Sequence, residues 1–258
     1  MFDASYRAHM REEAKLFARY PRAIGYKGGA ILSNHARRFG RTMRNRHTVA
    51  CSVCSWTGNS FDAIATFGYV RRNARCPSCG ALERHRAMID FLQCEGWAQP
   101  GARCLDIGAI PAFRGWFENR GARYVSLSLG DPAMVCMDVQ RMGFADDSFD
   151  LILDAHVLEY VSDYRQALRE MARVLRPGGK MLLTEAYAFG QPRTKEFGRP
   201  DPAATFIVRR FGDDLLSCLS ESGFAATRWD YTGRNDSGGD YFFLCEKELR
   251  KAVKAYVA

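Results

Sequence analysis

Two Cys-x-x-Cys pairs are the residues of this chain whose spacing most directly specifies a chemistry. Cys51 and Cys54 form the first pair, Cys76 and Cys79 form the second, and 21 residues separate the pairs. Each pair can fold into a tight turn that directs two thiolates at one ion, and two such turns complete a tetrahedral shell. A shell of four protein ligands leaves no position for water, so we predict a structural zinc site, not a catalytic one.

The other cysteines bear on the compartment and on the core. The chain has nine cysteines, an odd number, and its first residues lack the apolar stretch of a secretory signal. This pattern is typical of a reducing compartment, so we expect a cytoplasmic protein. No apolar run approaches the 18 residues of a transmembrane helix, so no membrane association is expected. Five cysteines lie in apolar patterns and are expected in the core: Cys94, Cys104, Cys136, Cys218 and Cys245.

Small and acidic residues follow several strand-like segments in the second half of the chain. They occur in the loops DIGAIPAF, SLGDP, CMDVQRMGF and DAHVLEY. Because a doubly wound sheet binds its ligand at the carboxyl ends of its strands, these loops are expected to meet at one site. Gly108 allows the backbone to approach a ligand closely, and the acids can accept hydrogen bonds from hydroxyl and amino groups. The pattern favours a charged nucleoside ligand.

The elements that must position these loops alternate between strand and helix. This alternation predicts an α/β fold with a mainly parallel sheet, closed by an antiparallel hairpin of ATRWDYT and YFFLCEK. The expected strands are 103–108, 124–129, 150–155 and 180–187, and the expected helices are 113–121, 164–179 and 213–224. The expected domains are a basic N-terminal extension (1–47), a four-cysteine module with a linker helix (48–96) and the α/β domain (97–258).

The charge of the chain is concentrated at its N-terminal side. Residues 1–96 hold 16 Lys and Arg against 7 Asp and Glu, whereas the remainder holds 21 against 22. The densest run lies between Arg37 and Arg46. Such asymmetry fits an anionic partner such as a nucleic acid, or a solvated surface that aids solubility, and the sequence leaves both open.

One long segment resembles the class I S-adenosylmethionine-dependent methyltransferases. It runs DDSFDLILDAHVLEYVSDYRQALREMARVLRPGGKMLLTEAY. The segments CPSCGALERHR and RRFGDD resemble a subgroup with a four-cysteine zinc-binding module before the methyltransferase domain. The resemblance covers about residues 48–245. It implies a doubly wound, Rossmann-like sheet of seven strands, with a small zinc-ribbon-like module ahead of it.

The resemblance also implies roles for individual residues. Asp106, Gly108 and Ala109 fall at the loop that faces the methionine part of the cofactor, and Asp154 and Ala155 fall beneath its sulfonium. Ser128 and Leu129 correspond to the ribose position, and Asp138 and Val139 correspond to the adenine position. His156 and Glu159 correspond to the position that faces the acceptor. The sequence departs from the family pattern in two places. Ile110 stands where a glycine is usual, and Ser128 replaces an acid, with Asp131 three residues later.

Three functions are consistent with these observations. The first is methyl transfer to a small-molecule or saccharide acceptor in a biosynthetic pathway, with His156 as base because imidazoles titrate near neutrality. The second is methylation of RNA gripped by the basic N-terminal portion. The third is an inactive scaffold, suggested by the altered glycine loop. The segment 188–210 is expected to be a lid or acceptor wall, and the sequence does not indicate an oligomeric state.

Overall fold

The computed structural model describes residues 49–65, 70–130, 133–200, 207–230 and 241–248. The basic extension, its Arg-rich run and Asp131 lie outside these ranges. The division into three domains therefore stays a prediction. We use the name cysteine module for residues 48–96, as defined from the sequence.

The cysteine module consists of two short antiparallel hairpins and one helix. Its elements are β1 (Val49–Ala50), β2 (Thr57–Gly58), β3 (Asp62–Ala65), β4 (Val70–Arg75) and α1 (Glu83–Glu95). Strand β1 pairs with β2, and β3 pairs with β4. Helix α1 ends at Gly96, whose left-handed backbone (φ 63°) stops the helix. Met88, Ile89 and Leu92 on α1 are fully buried, so this helix attaches the module to the sheet.

A seven-stranded, mainly parallel sheet forms the centre of the fold. The remaining strands are β5 (Arg103–Ile107), β6 (Arg123–Ser128), β7 (Val135–Cys136), β8 (Phe149–Ala155), β9 (Leu175–Thr184), β10 (Lys195–Glu196), β11 (Arg209–Arg210), β12 (Phe224–Asp230) and β13 (Tyr241–Lys247). The spatial order is β12-β13-β9-β8-β5-β6-β7, and β10 pairs separately with β11. Strands β5 to β9 run parallel, whereas β13 is antiparallel to both neighbours, so the predicted terminal hairpin is confirmed.

Three helices connect these strands and bury apolar faces against the sheet. They are α2 (Pro111–Glu118), α3 (Tyr164–Val174) and α4 (Leu215–Glu221). In α3 the buried residues recur at helical spacing, and Asp163 caps the helix by accepting the Gln166 N–H. The predicted helix over 164–179 is wrong at its end, because Leu175 already pairs with Phe149 as the first residue of β9. Pro177 also disfavours helical backbone in the residue before it.

The two faces of the sheet carry separate apolar cores. Leu105 of β5 packs with α3 and α4 on one face. Cys104 packs on the other face, together with α1, α2 and the cysteine module. Neighbouring residues of a strand point to opposite faces, so alternate side chains of β5 serve the two cores. The cysteine module is therefore packed into the same core as α2. Of the cysteines expected in the core, Cys94 and Cys136 are instead exposed.

Candidate functional site

The four predicted zinc ligands come together at one point. The Sγ atoms of Cys51 and Cys79 lie 3.8 Å apart, and those of Cys54 and Cys76 lie 3.7 Å apart. All four sulfur atoms lie within 4.8 Å of one another. A tetrahedral zinc ion about 2.3 Å from each sulfur requires sulfur–sulfur separations of about 3.8 Å, so the cluster fits Zn²⁺.

The two cysteine turns share one backbone design. The Cys51 carbonyl accepts the Ser55 N–H at 2.8 Å, and the Cys76 carbonyl accepts the Gly80 N–H at 3.0 Å. Ser55 and Gly80 both have left-handed backbone, with φ of 59° and 76°. The two turns thus present their four sulfur atoms to one point through the same backbone hydrogen bond.

Gly108 shapes the loop after β5 for two independent reasons. Its φ is 95°, a conformation that other residues adopt at a cost in free energy. A Cβ at this position would lie 2.7 Å from Cγ2 of Val157, on the turn after β8. The loop therefore lies directly against its neighbouring turn. Ile110, which replaces the usual glycine, is buried in the apolar core, so the fold accommodates its bulk.

Asp106 holds this loop from beneath. One oxygen of its carboxyl accepts the Ile110 N–H at 2.8 Å and the hydroxyl of Tyr124. The side chain is fully buried, and burial raises the pKa of Asp106 to about 7. Its position is that of a support for the loop backbone.

The predicted ribose and adenine residues follow β6 and β7. The Ser128 hydroxyl accepts the Gly130 N–H at 3.2 Å. Leu129 is 72% exposed, although it is a large apolar side chain at the carboxyl edge of the sheet. Asp138 accepts the Gln140 backbone N–H at 2.9 Å, so its carboxylate orients a turn, and Val139 is buried beside it.

His156 and Glu159 form a hydrogen-bonded pair on the turn after β8. Nδ1 of His156 lies 3.1 Å from each carboxylate oxygen of Glu159. Burial disfavours the charged form of Glu159, but hydrogen bonds from His156 and the Ala186 N–H lower its pKa below the ordinary value. Because an ionised carboxylate only accepts, Nδ1 carries the proton, and Nε2 of a neutral imidazole is an acceptor. Nε2 is buried, and no described residue hydrogen-bonds to it.

Glu185, just after β9, is a functional candidate that sequence reasoning missed. Its carboxyl accepts the backbone N–H groups of Leu158 and Glu159, each at 3.1 Å, and that of Val157 at 3.3 Å. Burial, and then the neighbouring Asp154, raise its pKa well above the ordinary value. The pKa of Asp154 is also raised, by burial and by Glu159. In the sequence, this role is indicated only by the acidic residue of the segment TEAY at the end of a predicted strand, which is Glu185 itself.

Arg209 ties the predicted acceptor wall to the same turn. Its guanidinium donates to the carbonyls of Leu158 and Val161 at 2.6 and 2.5 Å, and it is almost fully buried. It also pairs with Glu196 across the β10–β11 ladder. The wall is thereby anchored at this point, while residues 201–206 of the predicted lid lie outside the described ranges.

A cleft of about 320 Å³ opens beside the loop after β5. Of the predicted cofactor residues, it brings Gly108, Ala109 and Ala155 together as lining. Asp106 and Asp154 lie buried below the sheet edge and do not line it. A smaller cleft of about 120 Å³ shares Ala109 and continues toward Ser126 on β6.

Comparisons with known proteins agree with this arrangement. Residues 92–183 match the family described as a methyltransferase domain. A demethylmenaquinone methyltransferase of Mycobacterium marinum is 33% identical over 137 residues, which cover 44% of this chain and 58% of that protein. One of Corynebacterium urealyticum is 44% identical over 55 residues, which cover 21% of this chain and 24% of that protein. The chain thus spans less than two thirds of the length of either relative.

Solved structures resemble the fold at low sequence identity. The cyclase SpnF is 18% identical with a TM-score of 0.51, covering 65% of this chain and 83% of that one. The 1,6-didemethyltoxoflavin-N1-methyltransferase of Burkholderia thailandensis is 20% identical with a TM-score of 0.51, covering 62% of this chain and 76% of that one. Among the described residues, no helix is both long and apolar enough to cross a bilayer. The predicted fold is confirmed: the seven-stranded, mainly parallel sheet with its helices is the class I methyltransferase fold, and residues 92–183 match the methyltransferase-domain family.

Proposed function

We propose that this protein transfers a methyl group from S-adenosylmethionine to a small-molecule or saccharide acceptor. One observation carries the proposal. Nε2 of His156 is a buried acceptor without a partner among the described residues, one position after Ala155, which lines the cleft with Gly108. A proton acceptor oriented by a carboxylate, beside a close-approach glycine loop, is what methyl transfer to a protonated acceptor needs.

The residues at the carboxyl edge fit the parts of the cofactor. The backbone at Gly108 allows close approach of the methionine part, and Ser128 offers a hydroxyl to the ribose. Leu129 offers exposed apolar surface to the adenine ring, and Asp138 offers a carboxylate to its amino group. Asp106 supports this edge by accepting the Ile110 N–H, and Asp154 is fully buried near the end of β8. The proposed cofactor set is Asp106, Gly108, Ala109, Ser128, Leu129, Asp138, Val139, Asp154 and Ala155.

His156 is assigned the proton transfer. When bound, S-adenosylmethionine supplies a methyl group activated by a sulfonium. Transfer of that group to the acceptor would leave the acceptor with a proton to lose, and Nε2 of His156 would take this proton. The Glu159 carboxylate, 3.1 Å from Nδ1, stabilises the imidazolium that results.

A small acceptor is supported by the similarity to proteins named for demethylmenaquinone. The RNA alternative rests on the basic residues of the N-terminal portion, most of which lie outside the described ranges. We further propose that the protein acts in a biosynthetic pathway in the cytoplasm, where cysteine thiols stay reduced.

We also propose that Cys51, Cys54, Cys76 and Cys79 hold one structural zinc ion. The sulfur–sulfur distances of 3.7 and 3.8 Å support it, because they match the edges of a zinc–thiolate tetrahedron. Four thiolates fill the shell, so the ion would act through folding and not through chemistry.

Calorimetry with S-adenosylhomocysteine and an assay of labelled methyl transfer test the function. Saturable binding, together with label incorporation into a quinone or saccharide fraction, is the expected result. Binding with transfer only into RNA would support the second function. Absence of binding at millimolar ligand would leave the scaffold function and overturn the proposal.

A further inference from the structure

The cleft beside Gly108 has walls from two parts of the chain. Residues 108–112 and Ala155, from the carboxyl edge of the sheet, form one side. Residues 79–81 of the second cysteine turn form the other side, together with Arg84 and His85 at the start of α1. The cysteine module therefore contributes half of the cavity that the methyltransferase domain uses.

His85 is held in this wall by two contacts. Its Nδ1 accepts the Leu82 N–H at 3.2 Å, which caps α1. Its ring packs edge-on against Phe113 of α2, with the ring centroids 5.8 Å apart. A neutral imidazole that accepts at Nδ1 carries its proton at Nε2, so His85 presents one N–H donor. Among the described residues, no acceptor takes this proton in a hydrogen bond.

The surroundings of His85 keep this donor neutral and select the kind of group it binds. Burial, and then the positive charge of Arg84, lower the pKa of His85 well below its ordinary value. The imidazole therefore stays neutral across the physiological range. Arg84 adds a cation to the same wall, and none of the described residues that line the cleft carries a carboxylate. The complementary ligand group is an anionic acceptor such as a carboxylate.

We propose that His85 is a cofactor-binding residue, supplied by the cysteine module, whose Nε2–H donates to the carboxylate of the cofactor's methionine part. The inference rests on the proposed function, in which the opposite wall, with Gly108 and Ala155, faces that part of the cofactor. The cysteine module then acts in cofactor recognition as well as in folding.

The test compares two ligands that differ in the amino-acid part, which carries the carboxylate that His85 would bind. S-adenosylhomocysteine carries the amino-acid carboxylate, whereas 5′-methylthioadenosine keeps the adenosine and sulfur but lacks the amino-acid part. The variant is His85→Asn, because the Asn side-chain oxygen can replace Nδ1 as the cap of the Leu82 N–H, while no donor reaches the position of Nε2. Calorimetry measures both ligands with the wild type and the variant.

We expect His85→Asn to weaken S-adenosylhomocysteine binding by on the order of ten-fold or more, with 5′-methylthioadenosine binding unchanged. Equal weakening of both ligands would mean a merely structural role and would overturn the inference. Unchanged binding of both, with a raised KM for the acceptor, would assign the donor to the acceptor's anionic group and also overturn it. If the wild type binds neither ligand, the proposed function itself fails.

Discussion

Nδ1 of His156 lies equidistant, at 3.1 Å, from the two carboxylate oxygens of Glu159. The two residues are three positions apart on one turn, and His156 has the left-handed φ of 64° that points its ring back toward Glu159. The His156 N–H bonds to the Thr184 carbonyl at 2.8 Å, and Glu159 accepts the Ala186 N–H. The orientation of the candidate base is thus fixed by the end of the neighbouring strand.

Replacing His156 should remove proton transfer without removing cofactor binding. We expect His156→Asn to lower kcat by about 10²–10⁴-fold, the usual contribution of a general base. Asn is chosen because it tolerates left-handed backbone better than most residues, so the turn should persist. Glu159→Gln should give a smaller loss. Steady-state kinetics and calorimetry measure these effects, and a parallel loss of S-adenosylhomocysteine affinity would argue against the assigned role.

Replacing Gly108 by alanine should destabilise the loop for two reasons, the left-handed φ of residue 108 and the close contact of the new Cβ with Val157. We expect Gly108→Ala to lower the free energy of unfolding by about 1–2 kcal/mol or more, and to weaken S-adenosylhomocysteine binding. Adding Val157→Ala should recover only part of the loss, because it removes the Cγ2 contact but not the φ of 95°. Gly115→Ala is the control, since α2 leaves open space there and alanine favours helix. Urea unfolding gives the comparison, and full recovery in the double variant would show that φ is irrelevant.

Loss of a zinc ligand should affect both metal content and cofactor affinity. Elemental analysis should find one zinc per chain in the wild type and none in Cys54→Ser. Because the second cysteine turn lines the cleft, we also expect S-adenosylhomocysteine affinity to fall. Cys94→Ser is the matched control, since Cys94 is exposed on α1 and is not in the four-cysteine cluster. Metal retained in Cys54→Ser would contradict the site.

Burial of Asp106 should make stability depend on pH. Its folded-state pKa of about 7 exceeds the ordinary 3.8, so the unfolded chain loses this proton first as pH rises. The stabilising contribution is therefore present below about pH 4 and is lost as pH rises to about 7. The Asp106→Asn variant lacks this titrating group, so its unfolding free energy minus that of the wild type should increase with pH in that window. The increase should be at most about 1.4 kcal/mol per pH unit.

Asp150→Asn is the control for this pH series. Hydrogen bonds and charge from Arg103, with a further bond from Arg176, lower the pKa of Asp150, so its contribution is present above about pH 4 and lost only in acid. This variant should be less stable at every pH from about 5 to 8, with the wild-type slope. Urea unfolding at a series of pH values measures both variants, and a wild-type slope in Asp106→Asn would contradict the assignment.

The sequence predicted those parts of the site that depend on local pattern. The four cysteines follow from their spacing, and the structure brings their sulfur atoms together. The loops after β5 and β8 follow from periodicity, and Gly108 and Ala155 from these loops line one cleft with Cys79. Cys94 was misjudged because the burial of an isolated apolar residue depends on which helix face meets the core. Cys94 lies two positions beyond the buried Leu92, on the other side of α1.

The parts that sequence reasoning missed depend on contacts between distant positions. Arg209 donates to Leu158, 51 positions earlier, and Glu185 caps a turn 26 to 28 positions earlier. Local composition marks Arg209 only as a charge and Glu185 only as an acid near a strand end. The end of α3 was missed for a related reason, since the pairing of Leu175 with Phe149 overrides helical periodicity.

The hydrogen bonds to Glu185 set the order in which the site can be assembled. Residues 157–159 obtain this acceptor only after the chain has passed through α3 and β9 has paired with β8. A nascent chain that ended before Glu185 would hold every residue assigned to the cofactor, together with His156 and Glu159, yet its turn would have three uncapped N–H groups. Parallel pairing closes a long loop and is slow compared with helix formation. We therefore expect the turn at residues 157–159 to become ordered late in the folding of this chain.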